Sequence, residues 1–125
     1  MAVLTEVGGR FGLPPTGLGL VLLAHAPLEV QEQVLAAPLR RYTRHTITDP
    51  GRLRRVLAEV RRSGLAVSDR QVTEDAVSVA APIAARGAVV AALSIVVRGD
   101  SPAAVRALTP SVRAAARAIS RSLPG

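Results

Sequence analysis

The groups in this 125-residue chain whose types and spacing could do chemistry are two strand serines, a glycine-loosened helix start and two histidines. Ser78 and Ser94 lie in SVAAPIAARGAVVAALSIVV, residues 78–97, whose two arms are rich in small and β-branched residues. Such arms suit a half-buried pleated surface. Ala85-Arg86-Gly87 between them suits a three-residue hairpin loop with Gly87 in the left-handed region. That loop predicts pairing symmetric about Arg86, with Ser78 directly opposite Ser94. Directly paired residues share a face, so two hydroxyls would stand side by side in an apolar wall. A two-residue turn would instead slip the register by one and send them to opposite faces.

Gly17-Leu18-Gly19 is the second constellation. Thr16 is placed to cap a helix that carries Leu18, Val21, Leu22, Leu23 and His25 and stops at Ala26-Pro27. Glycine in a first turn costs about 1 kcal/mol relative to alanine. Two explanations stand side by side. Bare N–H groups at the positive end of a helix accept a carboxylate, or the glycines let the helix pack closely on a sheet.

The remaining polar groups point away from catalysis. His25, His45, Tyr42, serines and aspartates allow a Ser-His-Asp triad on paper, but there is no GxSxG elbow, no HExxH and no glycine-rich phosphate loop. His25 ends an apolar helix and His45 sits in an Arg/Thr-rich connector, positions that suit surface or core roles. Two distant histidines and a carboxylate give zinc only weak support. No catalytic residue, metal ligand or cofactor is assigned.

Composition sets the frame for these groups. At 49% apolar residues the chain has enough to bury a core, and its length fits one domain over residues 1–125. Aromatics are 2%, so base-stacking platforms are essentially absent and the core must be aliphatic. There is no cysteine, which excludes disulfides and thiolate sites. The apolar run from Leu18 to Ala24 is too short to span a bilayer, so the expected location is cytoplasmic, with no membrane partner. The net charge of +7 comes from sixteen arginines, without lysine, against nine acids. One reading is a surface for nucleic acid, whose binding would be non-specific and salt-sensitive. The scatter of the arginines along the chain favours an ordinary solvated surface.

The elements that must position the serines follow from pattern. Residues 2–7 (AVLTEV) alternate as a strand, and 8–15 form a glycine- and proline-broken loop. Residues 28–36 predict a short helix with Leu28, Val30, Val34 and Leu35 inward, followed by a polar connector over 39–48. Asp49-Pro50 opens a helix to about Arg62, with Leu53, Val56, Leu57 and Val60 on one face and Gly64 as its stop. Residues 65–68 predict a strand, and 69–75 a polar loop into the hairpin. After a turn at 98–102, one or two helical turns over 103–108 precede a final helix started by Thr109-Pro110. Its stripe is Val112, Ala115, Ala116, Ile119 and Leu123, with Arg113, Arg117 and Arg121 outward.

The segments GGRFGLPPTGLGLVLLAHAP, LRRYTRHTITDPGRLRRVLAEVRRSGLAVSD and SVAAPI…GAVVAALSIVV, in this order over nearly the whole chain, resemble the effector-binding domain of IclR-type bacterial transcriptional regulators. The resemblance implies an α+β fold: a GAF/profilin-like antiparallel sheet flanked by helices, N-terminally truncated relative to the family domain. It also implies a pocket for a small organic or aromatic acid. Position by position, that pocket falls on Gly17 and Leu18, on Ser68 or the neighbouring Asp69, on Ser78, and on Ser94 and Val96. Relatives often carry a polar residue where Val96 stands, a histidine where Pro15 stands, and a hairpin turn longer by about one residue. The winged helix-turn-helix that reads operator DNA in the family is not among these residues, so operator DNA would be a partner only through it. The resemblance implies ligand-dependent association of a full-length regulator as a homo-oligomer, a dimer or tetramer. The contrasting expectations are a stand-alone oligomerisation or ligand-binding module without regulatory output, and a non-specific nucleic-acid binder.

Overall fold

A computed structural model describes residues 15–98 and 102–124. The expected strand at 2–7, the loop at 8–14 and most of the turn at 98–102 lie outside the described residues. The element order is α1 (Gly17–Ala24), α2 (Leu28–Ala36), α3 (Pro50–Ser63), β1 (Ala66–Asp69), β2 (Ala76–Ala85), β3 (Ala88–Arg98) and α4 (Pro102–Ser122). The strands form an antiparallel sheet in the order β1-β2-β3. With helices on both faces, the fold is α+β, as expected.

The hairpin departs from the expected turn in an instructive way. Ala85 pairs with Ala88, leaving a two-residue turn in which Arg86 (φ 54°) and Gly87 (φ 76°) are both left-handed. That is the backbone of a type I′ turn, whose twist matches the flanking strands. By itself this turn would put Ser78 and Ser94 on opposite faces. The register then shifts again between Ile83 and Ala84: Ala84 pairs with Val89 but Ile83 with Ala91, so Val90 is an extra, bulged residue. Two slips of one residue restore the parity. Ser78 and Ser94 share a face, but they are not directly opposite: Ser78 faces Val96, and Ser94 faces Ala80.

Alternation divides the sheet cleanly. One face carries Ala66, Ser68, Ser78, Ala80, Ala92, Ser94 and Val96, and its buried Ala66 and Ala80 belong to one core with Leu20, Val21, Leu53, Leu57 and Val60 of α1 and α3. The other carries Val79, Ala81 and Ile83, buried against Val112 and Ala116 of α4. Leu20, Val21, Leu53, Val79 and Val112 are fully enclosed, each side chain contributing about 1.5–3 kcal/mol of hydrophobic stabilisation.

The helices hold to expectation where capping chemistry is explicit. Asp49 accepts from the Arg52 N–H at 3.2 Å, Pro50 opens α3, and Gly64 closes it at φ 69°. Three expectations need correction. Leu22 on α1 is 40% exposed and Leu28 and Val30 on α2 are 71% and 39% exposed, so those side chains do not face the core. The reason is that α1 is apolar nearly all round and buried on most sides, which leaves periodicity little to report. On α2 only Leu35 is buried, while Gln31 turns back to donate to the carbonyls of Ala24 and Ala26. At the other end, Thr109-Pro110 does not start a helix. α4 runs unbroken through Pro110, and the Thr109 hydroxyl donates to the Val105 carbonyl at 2.8 Å. Within α4, Ile119 is 37% exposed, and Arg113 is half-buried with a hydrogen bond to the Ser63 carbonyl.

The connector at 39–48 is more than a tether. Thr43 and Thr46 are buried, and their hydroxyls donate to the carbonyls of Arg70 and Gln71 at 2.6 and 2.5 Å. Ile47 N–H donates to the Gln71 side chain. The connector thereby fixes the loop that carries β1 into β2, and with it the position of Ser68 against Ser78.

Candidate functional site

The seam between the start of α1 and the sheet is where the predicted residues meet. Thr16 caps α1, its hydroxyl accepting from the Gly19 N–H at 2.8 Å. The Gly17 N–H donates to the Ser78 hydroxyl at 3.1 Å, tying the helix start to the middle strand. A side chain on Gly17 would not fit. Its Cβ would lie 2.7 Å from Ser78 Oγ and 3.3 Å from Ala80 Cβ. Close approach of helix to sheet is therefore a demonstrated role of this glycine.

Ser68 is directly opposite Ser78 on β1 and is buried. Its hydroxyl donates to the Pro15 carbonyl, just before α1. The facing pair of serines is thus Ser68 and Ser78, with Ser94 diagonal to Ser78 across β2 and β3 and Val96 beside it. Leu18, Ser94 and Val96 are half-buried at the edge of the seam. Asp69 is not brought here. It pairs with Val77, on the opposite face from Ser68, is exposed, and holds Arg70 Nε at 2.9 Å. Of the two alternatives at that position, Ser68 lies on the face of Ser78 and Asp69 on the opposite one.

The hydrogen-bonding capacity left over defines the chemistry. A hydroxyl carries one proton and two lone pairs. Ser78 uses a lone pair on Gly17, and its proton has no acceptor among the described residues. The Ser94 hydroxyl and the Leu18 N–H make no hydrogen bond of their own among the described residues. The unspent groups thus include donors at the positive end of a helix, beside apolar Leu18, Ala80, Ala92 and Val96. Such a set complements a carboxylate on a largely apolar body.

Neither histidine joins it. His45 Nε2 lies 3.4 Å from Glu74 in the connector region. His25 follows the last turn of α1, and its Nε2 is enclosed without a hydrogen-bond partner among the described residues. Burial, reinforced by the nearby Arg61 guanidinium, lowers its pKa from the usual 6.5. Arg61 itself donates to the Ala24 carbonyl, so the far end of α1 is held by Arg61 and Gln31. These two residues, and the Pro15 carbonyl that receives Ser68, carry no pattern in the sequence that announces their roles. Among the described residues no three metal-ligating side chains cluster, and no helix is long and apolar enough to cross a membrane.

The chain thus combines an α+β fold, a sheet covered by helices on both faces, with hydroxyl and amide donors where the start of α1 meets the sheet. The chain belongs to the IclR family: the family of the bacterial transcriptional regulator IclR C-terminal domain matches residues 1–121. It is 38% identical over 77 residues to the HTH-type transcriptional regulator BhcR of Paracoccus denitrificans, a match covering 61% of this chain and 28% of that protein. Its fold matches an IclR homologue from Microbacterium hydrocarbonoxydans, solved in complex with 4-hydroxybenzoate. The TM-score is 0.87 at 38% identity, over 97% of this chain and 50% of that one. It also matches the inducer-binding domain of a PobR transcription factor double mutant from Acinetobacter in complex with 3-hydroxybenzoic acid. There the TM-score is 0.81 at 28% identity, over 92% of this chain and 69% of that one. The chain thus spans only part of these relatives, which are transcription regulators.

Proposed function

We propose that this chain is the small-molecule-sensing domain of an IclR-type transcription regulator and that its effector is a small organic acid, an aromatic acid such as a hydroxybenzoate above all. The single observation that supports this best is the state of Ser78: its hydroxyl anchors the Gly17 N–H, yet its own proton meets no acceptor among the described residues. In this reading the effector carboxylate accepts from Ser78, the Leu18 N–H and Ser94, while its body lies on Leu18 and Val96. Ser68 holds the α1 entry through Pro15, and Gly17 sets the depth of the seam. Asp69, on the other face, takes no part. Val96 offers van der Waals contact where a polar residue would offer a hydrogen bond, which biases the site toward ligands apolar at that end.

In the larger regulator, effector binding would change how copies associate and so the spacing of the DNA-reading heads, which lie outside this chain. Only a difference in effector affinity between the two arrangements can shift that equilibrium. The whole residue range 1–125 acts as this one domain, without cofactor or metal, and the regulator works in the cytoplasm as a homo-oligomer.

Isothermal titration with 3- and 4-hydroxybenzoate, benzoate and short aliphatic acids tests the reading. At least one acid should bind saturably. Ser94→Ala should weaken it about tenfold, the loss of one hydrogen bond to a charged acceptor, with an unchanged unfolding midpoint. Equal affinity in the wild type and Ser94→Ala, or no saturable binding by any acid, would refute it.

A further inference from the structure

Four of the sixteen arginines share one side of α4. Arg106, Arg113, Arg117 and Arg121 fall within roughly 80° of arc on a regular helix, and this 21-residue element contains no Asp or Glu. Arg113 is half-buried and committed to the Ser63 carbonyl. Arg106, Arg117 and Arg121 are exposed, and none forms an ion pair with an acid among the described residues. Arg54 and Arg62 of α3, by contrast, are paired with Glu32 and Glu59. The ridge therefore presents three exposed guanidinium groups without an acidic partner among the described residues, with Arg117 and Arg121 about 6 Å apart along the axis.

The residues around the ridge narrow the kind of partner. Exposed neighbours beside the ridge include Ala107, Pro110, Ser111, Ala114 and Ala118, none of them aromatic or large aliphatic, and the exposed Ile119 lies on the opposite side of the helix. A protein partner is typically anchored by large aromatic or aliphatic side chains in a desolvated centre, and this face offers none. Membrane-surface helices insert a bulky apolar face between headgroups, whereas the apolar side of α4 is spent on the sheet. Single-stranded nucleic acid calls for aromatic stacking platforms, and α4 has no aromatic residue. What remains is a regular polyanion read through its charge alone. We propose that the arginine ridge of α4 docks on the phosphate backbone of duplex DNA, without sequence preference, as an accessory contact separate from the effector seam.

The test is fluorescence anisotropy of a mixed-sequence duplex of about thirty base pairs, titrated with the 125-residue chain across a salt series. Three phosphate contacts give a slope of log K against log[salt] of about −2.7, roughly a 40-fold loss between 50 and 200 mM salt. The pair R117Q/R121Q should bring the slope to about −0.9. The control pair R52Q/R55Q, on the exposed side of α3, should leave it within a few tenths of the wild-type value. Circular dichroism of each variant checks that folding is unchanged. Four results would overturn the proposal: no binding at 50 mM salt, an unchanged slope in R117Q/R121Q, equal loss in both pairs, or equally tight binding to polyglutamate or anionic vesicles.

Discussion

Adding one methyl group at Gly17 attacks the contact on which the site is built. In Gly17→Ala the new Cβ would stand 2.7 Å from Ser78 Oγ and 3.3 Å from Ala80 Cβ, both too close to be absorbed without movement. The Ser78 hydroxyl is the moveable partner, and moving it breaks the 3.1 Å bond from the Gly17 N–H. Overpacking of this kind costs about 1–3 kcal/mol, and a lost buried hydrogen bond about 1 kcal/mol more. The better helix propensity of alanine returns at most about 1 kcal/mol. A net destabilisation of about 2 kcal/mol is expected. Ser78→Ala alone strands the Gly17 N–H and costs about 1–3 kcal/mol. In the double variant the worst clash is gone, because Gly17 Cβ then meets Ser78 Cβ at 3.5 Å, an ordinary contact. The double variant should therefore be more stable than the sum of the singles predicts, by about 1–2 kcal/mol. Urea unfolding followed by circular dichroism measures all four corners of the cycle. Additive losses, or a neutral Gly17→Ala, would refute the claim that helix and strand are locked at this point.

Two further perturbations follow from other elements. His25 has its pKa lowered by burial and by Arg61, so between the unfolded value of 6.5 and its folded value the unfolded chain binds more protons than the folded one. Stability should then be flat above about pH 7, fall as pH drops through 6.5 and level off below the folded pKa. His25→Gln should remove that step, read as the urea midpoint between pH 8 and pH 5. At the hairpin tip, Arg86 holds φ 54° in a turn that favours Asn-Gly. Arg86→Asn should raise stability by about 0.5–1 kcal/mol without altering effector binding, which thermal unfolding and titration check together.

How much of this was legible in the sequence depended on whether a local rule had a competitor. α3 was readable end to end, because Asp49, Pro50 and Gly64 each do at a helix terminus what their chemistry favours and the apolar stripe between them is one-sided. The hairpin was readable as strands and faces but not as a register. Arg-Gly fits either turn length, and the bulge at Val90 depends on tertiary packing that no short-range pattern encodes. That Ser78 and Ser94 share a face came through only because two single-residue slips add to a two-residue shift, which keeps the face and changes the partner. Thr109-Pro110 misled because a proline costs one hydrogen bond, a cost that the burial of Val105, Leu108, Val112 and Ala116 on one continuous helix outweighs. The partner of Ser78 across β1, Ser68, was identifiable by position but not as a neighbour, since strand pairing over nine intervening residues rests on the docked connector. The arginine ridge was legible in part: Arg113, Arg117 and Arg121 stand outward on the expected final helix, but Arg106 joins them only because the helix runs unbroken through Pro110.

Effector sensing by this domain turns on where an acid sits. Amide chemical shifts of the labelled chain, followed during titration with 4-hydroxybenzoate, read that position residue by residue. The largest saturable changes are expected at Gly17, Leu18, Ser78 and Ser94, with Asp69 and the outer face of α4 unmoved. Saturable changes centred anywhere else, or none at all in the presence of every acid that binds calorimetrically, would contradict it.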